Sequence, residues 1–227
     1  MVCRLVRFCL PAALAFAFSF TASAAPIACS TGTVADYAAL GSDGCIVGDK
    51  LFNNFVFFGN SAGTGVTPVD SDVTVAPLVS PSNNPGLYFS SGAWAISGIG
   101  FVYSSISFTV TVLSPDFLID GGSVNIDSVA AVLGGNAGIS EQICPNFLPC
   151  QNFSASAAAP FNSLSITPSQ SIEVVKEITV LGTTNDSFAA LASFEERFNQ
   201  VSAVPEPSTF ALFGSALVAA AFLRRKR

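Results

Sequence analysis

Ile106-Ser-Phe-Thr-Val-Thr-Val-Leu113 decides the fold class. Ile106, Phe108, Val110 and Val112 alternate with Ser107, Thr109 and Thr111, so a strand here buries one face and turns a row of hydroxyls outward. The same texture continues on both sides. Val73-Thr-Val-Ala76, Gly86-Leu-Tyr-Phe89 and Ala93-Trp-Ala-Ile96 precede it, and Val124-Asn-Ile-Asp-Ser-Val129, Leu164-Ser-Ile-Thr167 and Ile172-Glu-Val-Val-Lys-Glu-Ile-Thr-Val180 follow. Each is short, β-branched or aromatic, and bounded by Gly, Pro, Asn or Ser. In Lys50–Phe58, Phe52, Val56 and Phe58 fall at even spacing while Phe55 and Phe57 fill the other face, which reads as a strand covered on both sides. About eight to ten such strands without a long helical period predict an all-β, antiparallel β-sandwich, with a jelly roll as one form of it. Val34–Leu40, stopped by Gly41, reads as a short helix. Phe188–Phe198 has spacings that a helix would also accept, but Phe194, Glu196 and Phe198 alternate, and we read it as a strand.

The chain has 227 residues, half of them hydrophobic, with 9 basic and 15 acidic side chains, 6 cysteines and no histidine. Six of the basic residues (Arg4, Arg7, Arg224, Arg225, Lys226, Arg227) sit at the two ends, leaving Lys50, Lys176 and Arg197 against every acidic residue in the middle. Without histidine, histidine metal sites, Ser-His-Asp and Cys-His catalysis and a histidine pH switch are excluded. An acidic middle argues against nucleic acid, where Lys and Arg supply most of the affinity by neutralising phosphate. The middle has the length of one domain with its own core.

The N-terminus has a basic start, an apolar run from Phe8 to Phe20, and then Thr21-Ala-Ser-Ala-Ala25. This is the layout of a signal peptide over residues 1–24, cut by signal peptidase between Ala24 and Ala25. The apolar run is shorter than the ~20 residues that span a bilayer. At the other end, Val204-Pro205-Glu206-Pro207 leads into an uncharged stretch, and Arg224-Arg225-Lys226-Arg227 closes the chain. Residues 208–223 read as a transmembrane helix with small residues along it, and the basic tail acts as a stop-transfer signal that holds the C-terminus in the cytoplasm. The body, residues 25–203, then lies in the periplasm on an inner-membrane-anchored intermediate before reaching the cell surface or extracellular matrix.

The order of Val204-Pro205-Glu206-Pro207, apolar helix and basic cluster resembles the PEP-CTERM sorting signal of proteins exported by Gram-negative bacteria that make exopolysaccharide. The resemblance implies an exosortase as processing partner, a membrane transpeptidase that cuts near the motif and releases or transfers the ectodomain. This chain is then the substrate. Pro205 and Pro207 fix φ and bias Val204 and Glu206 to extended geometry, giving a stiff segment suited to a protease cleft. Ala28-Cys-Ser-Thr-Gly-Thr33, Gly44-Cys-Ile-Val-Gly-Asp-Lys-Leu-Phe52, the Ile172 strand and the Phe-rich last strand resemble an uncharacterised group of PEP-CTERM ectodomains, and no catalytic residues come with that likeness.

Export places Cys29, Cys45, Cys144 and Cys150 in a disulfide-permissive compartment. Three connectivities are open, and local pairing, Cys29–Cys45 and Cys144–Cys150, is the expected one because each pair brackets a polar, turn-rich segment. Trp94, Tyr88 and Tyr103 are candidate sugar-stacking side chains, with a core role as the alternative. Asp70 with Asp72, and Asp120 with Asp127, are candidate calcium ligands, although neither pair matches an established calcium-loop spacing and solvated turns explain them equally. No other cofactor is expected. Asn152-Phe-Ser154 and Asn185-Asp-Ser187 match sequons to which we assign no role. For a hydrolase, Glu141, Glu173, Glu177, Glu195 and Glu196 are the available paired carboxylates. No phosphate loop, nucleotide fingerprint or nucleophile elbow is present. The expected function is a non-enzymatic structural or adhesive protein of the envelope or exopolysaccharide biofilm matrix; a carbohydrate- or calcium-binding module is the alternative, and a glycosidase-like enzyme the third.

Overall fold

The structure is a computed structural model and describes residues 27–81, 84–146 and 148–203. The signal peptide, its cleavage site, the sorting motif, the transmembrane helix and the basic tail lie outside the described residues.

Two seven-stranded sheets face each other. Sheet A runs in the order β1 (Ile27–Ala28), β3 (Cys45–Val47), β4 (Lys50–Gly63), β8 (Gly100–Val112), β13 (Ser171–Gly182), β10 (Gly135–Pro145) and β11 (Gln151–Ser156). Sheet B runs β12 (Phe161–Ser169), β9 (Phe117–Val132), β14 (Phe188–Ser202), β6 (Gly86–Ser90), β5 (Thr74–Leu78) and β2 (Gly32–Thr33), with β7 (Ala95–Ser97) also on β14. All pairings are antiparallel except β1 on β3.

The pairs β10·β11, β9·β12, β8·β13 and β7·β14 are nested in sequence and fall alternately in sheet A and sheet B. That is a long hairpin rolled up on itself, the jelly-roll form of the sandwich. The alternation expected for β8 holds along its whole length: Ile106, Phe108, Val110 and Val112 are buried and the residues between them are not. Phe188–Phe198 is a strand, as its alternation indicates.

The short helix α1 (Val34–Ala39) also forms, started by a capping box in which Thr33 and Asp36 satisfy each other's backbone N–H groups. The Thr33 N–H, and then the Thr33 hydroxyl, both donating to Oδ2, hold the Asp36 carboxyl below its usual range. Gly41, just past the helix, takes the left-handed conformation at φ 55° that ends it. Tyr37, buried on the inner side of α1, donates to the Ser30 carbonyl, and burial pushes its phenol up to about 12.

Both disulfides follow the local pairing. Cys29–Cys45 ties β1 to β3, and Cys144–Cys150 closes the turn between β10 and β11. A bridge over the first of these loops contributes about 3 kcal/mol.

The reading of β4 as covered on both sides needs correction. Its register against β8 shifts between Asn53 and Val56, where Asn54 adopts φ 56°. Asparagine tolerates the left-handed region better than most residues, and the extra residue of a β-bulge reverses which side chains point inward. Phe52 and Phe55 therefore share the core, while Val56 and Phe58 are 61% and 57% exposed. Replacing Phe55 with alanine should cost roughly 3–5 kcal/mol in chemical unfolding, and replacing Phe58 roughly 0.5 kcal/mol or less. Equal losses would mean that the bulge is not there.

Candidate functional site

The outward rows of sheet A can be written from the register. Phe58, Ser105, Glu177, Ser140 and Ser154 lie side by side across β4, β8, β13, β10 and β11. The next row is Asn60, Tyr103, Thr179, Gly138 and Ser156, and the row on the other side is Val56, Ser107, Val175, Gln142 and Asn152. With strands ~4.8 Å apart, the face is about 19 Å wide.

The bulge at Asn54 turns Phe58 to this face, where its ring meets Tyr103 edge-on at 6.3 Å between centroids. Tyr103 donates its hydroxyl to Glu177 Oε1 at 2.8 Å. Partial burial, and then this bond and the Glu177 charge, hold the Tyr103 phenol above its usual range. Beyond this ridge the floor is hydroxyl and amide. Gln142 Nε2 donates to Asn152 Oδ1 at 3.1 Å, and two shallow depressions of about 250 and 120 Å³ share Ser140 and Glu177. Exposed Phe58 with half-buried Tyr103 offers a stacking surface, and the floor offers donors and acceptors at fixed spacing along the pleat.

The three aromatic candidates are not brought together. Tyr103 is on the outer face of sheet A, and Tyr88 is on the outer face of sheet B in a row with Glu195, Asn125 and Phe161. Trp94 is between the sheets, 1% exposed, stacked on Phe194 and donating to Ser104 Oγ at 3.0 Å. Its candidate role as a sugar platform is corrected to the core role, the commoner one for such aromatics: its apolar neighbours and one buried hydroxyl satisfy the whole indole.

The calcium candidates are also dispersed. Asp72 accepts from the Val69 backbone in the one-turn helix Asp70–Asp72, Asp127 accepts from Asn125, and Asp120 is seven positions before Asp127 on β9, about 23 Å away along the strand. Asp127 is held above the usual carboxyl range by partial burial and by Glu195. Among the described residues no three Cys, Asp or Glu side chains gather as a ligand set.

Of the carboxylates, Glu173 and Glu177 share the outer face of sheet A but lie four residues apart, about 13 Å along a strand. Glu141 and Glu196 do meet, from β10 and β14, in the middle of the sandwich. Lys176 lies directly across from Glu141 on β13, and its Nζ bonds to Oε2 of both carboxylates. All three side chains are 0% exposed. The rings of Phe108 and Phe194 each stand 5.9 Å from Nζ. The other oxygen of each carboxylate has no partner. Burial, and then the Glu141 charge, hold the Glu196 carboxyl well above its usual range.

Sequence reading missed this triad, although its signal was there. Lys176 falls in phase with Ile172, Val174, Ile178 and Val180; Glu141 with Ala137, Ile139 and Ile143; and Glu196 with Phe194 and Phe198. Each is a charge on the apolar phase of its strand.

A model of the PEP-CTERM protein-sorting motif matches residues 203–227. The chain ends in a PEP-CTERM sorting signal. The signal marks an exported protein handed to an exosortase, and the match leaves the ectodomain outside it. No curated protein matches the PEP-CTERM chain. Among solved structures, its ectodomain is similar to TmCBM61 in complex with β-1,4-galactotriose (10% identity, 65% of this chain, 88% of that chain, TM-score 0.34). It is also similar to the family 11 carbohydrate-binding module from Clostridium thermocellum in complex with a β-1,3-1,4-mixed-linked tetrasaccharide (10%, 63%, 88%, TM-score 0.25). A third likeness is to the enzymatically active domain of bacteriophage CBA120 tailspike protein 4 (11%, 64%, 19%, TM-score 0.28). Likeness at this level does not extend to what those proteins bind.

Trp94 is the one tryptophan in the chain, so its fluorescence reports its site cleanly. The folded protein should emit at short wavelength and resist quenching by acrylamide, and a glycan on the outer face of sheet A should leave the emission unchanged. A quench or shift on glycan addition would put the sugar at Trp94 after all.

Proposed function

We propose that the chain is a non-enzymatic structural and adhesive protein of the cell envelope or exopolysaccharide matrix, exported, held at the inner membrane, and cut by an exosortase at Val204–Pro207. Its matrix contact is polysaccharide, gripped by the outer face of sheet A. The observation that carries the contact is the exposed Phe58 ring against the half-buried Tyr103 ring, beside the polar floor of Glu177, Ser140, Gln142 and Asn152. Sugar rings stack through their C–H faces on such rings while their hydroxyls meet the floor. Many weak contacts of this kind on a long polymer give adhesion through repetition.

The non-enzymatic part is supported by where four of the candidate carboxylates lie. Glycosidases place two within about 5–10 Å across a substrate, whereas Glu173 and Glu177 are more widely spaced. Glu141 and Glu196 are enclosed in the core.

Sedimentation of the mature protein with the exopolysaccharide of its host should show binding that falls about tenfold in Phe58→Ala and again in Tyr103→Ala, as expected for loss of ~1.4 kcal/mol per ring. Unchanged binding in both variants would rule out this face. The sorting step is tested separately by intact mass. In a strain with exosortase the chain should begin at Ala25 and end near Val204–Pro207, with any attached group as extra mass; without exosortase it should run to Arg227. A chain that reaches Arg227 in both strains would be a simple tail-anchored protein.

A further inference from the structure

The Glu141–Lys176–Glu196 triad takes no part in the glycan reading, and its chemistry is unusual for a core. One ammonium between two carboxylates leaves one negative charge without compensation in a site closed to water, so the group holds an extra proton. Burial and the Glu141 charge both favour that proton on Glu196. A lysine amine is therefore enclosed against a carboxylic acid, with a carboxylate from the neighbouring strand touching the same nitrogen. Nζ contacts Glu196 Oε2, the oxygen bonded to Cδ, which is the carbon an amine attacks. Phe108 and Phe194 stand over the nitrogen and keep out the water that would solvate the ammonium.

We propose that Lys176 and Glu196 are joined by an intramolecular amide bond, formed with Glu141 as proton carrier, which ties sheet A covalently to sheet B. The step needs no oxidant or co-reactant. Lys176 Nζ first gives a proton to the Glu141 carboxylate and becomes a free amine. The amine attacks Glu196 Cδ, forming the C–N bond. Glu141 then takes a second proton from this nitrogen while delivering its own to the departing Glu196 hydroxyl, and the C–O bond breaks with loss of one water. The products are a neutral amide, a neutral Glu141 acid and water, with no net charge left in the core. Condensation also expels an oxygen from a site where one oxygen of each carboxylate has no hydrogen-bond partner.

The test is a peptide map that neither end of the chain affects and that does not depend on glycan binding. Lys50, Lys176 and Arg197 are the only trypsin sites between residues 25 and 203. In the denatured, reduced mature protein, an amide on Lys176 blocks its cleavage, and residues 51–197 should stay together about 18 Da below their sequence mass, the mass of one water. Fragmentation should place the branch between Lys176 and Glu196. Separate peptides 51–176 and 177–197 at full mass would overturn the proposal, and a branch on Glu141 would overturn the assignment of roles. Glu141→Ala and Lys176→Arg should both be cut after position 176, the first for want of a proton carrier and the second because guanidinium does not deprotonate. An intact crosslink in Glu141→Ala would remove Glu141 from the mechanism. The wild-type map decides the main point even if a variant fails to fold.

Discussion

The sandwich is held shut around Phe108. From the middle of β8 its ring packs on Phe52 and Phe55 of its own sheet and on Phe89 and Phe198 of the sheet opposite, with centroids 4.9–6.2 Å away. Phe194 and Trp94 extend the same stack. Two twisted sheets about 10 Å apart need large side chains to fill the gap, and rings fill it at low entropic cost because each has few rotamers to lose. The core depends on that layer. β6 and β14 bring their rings to it from sheet B, β4 and β8 from sheet A, and the nested hairpin rolls up in the register that superposes them.

The strands legible in the sequence are those with the most regular apolar alternation, β8 above all, and β13 is legible because four apolar residues surround Lys176 on its inner phase. β10 is not among them, because Gly135 and Glu141 interrupt a pattern otherwise made by Ala137, Ile139 and Ile143. The interruption by Glu141 is the core triad itself, so what hid the strand also marks its chemistry. The two sides of β4 were misread for a different reason: a bulge shifts phase by one residue, and nothing in Phe52-Asn-Asn-Phe-Val shows which asparagine will take it up. The order of strands in each sheet was beyond local reading altogether, since partners such as β9 and β14 lie far apart in sequence. Of the outer-face site, Tyr103 and Glu177 were candidates from sequence, but their adjacency follows from pairing β8 with β13, and Phe58 joins them only through the bulge.

The three basic residues of the described region each tie separate segments together, two of them in the core and Arg197 on the outer face of sheet B. Lys176 joins β13 to β10 and β14, while Lys50, fully buried, donates to Gln200 at 2.5 Å and to Asp49 at 3.2 Å, linking the start of β4 to the end of β14. Burial lowers the Lys50 amine below its usual range. Arg197 pairs with Glu195 and donates to the Ser80 and Asn84 carbonyls, tying a loop of sheet B to its central strand. Most of the acids remain outside, which gives the surface one sign and keeps copies of the domain apart.

The last strand carries one more consequence. β14 is paired with β9 from Phe188 to Ser202, flanked on its other side by β6, and Ala203 donates to the Asp116 carbonyl at 2.7 Å, immediately before Val204. Among the described residues, the pairing of the last strand runs to their C-terminal end. Any pull on the C-terminus enters the domain along the axis of an interior strand and loads its hydrogen bonds side by side, so they must fail together. A domain hung from a short edge strand would come apart one bond at a time. Under tension, the rate of forced unfolding governs survival, and an interior last strand sets that rate by the joint failure of its ladder.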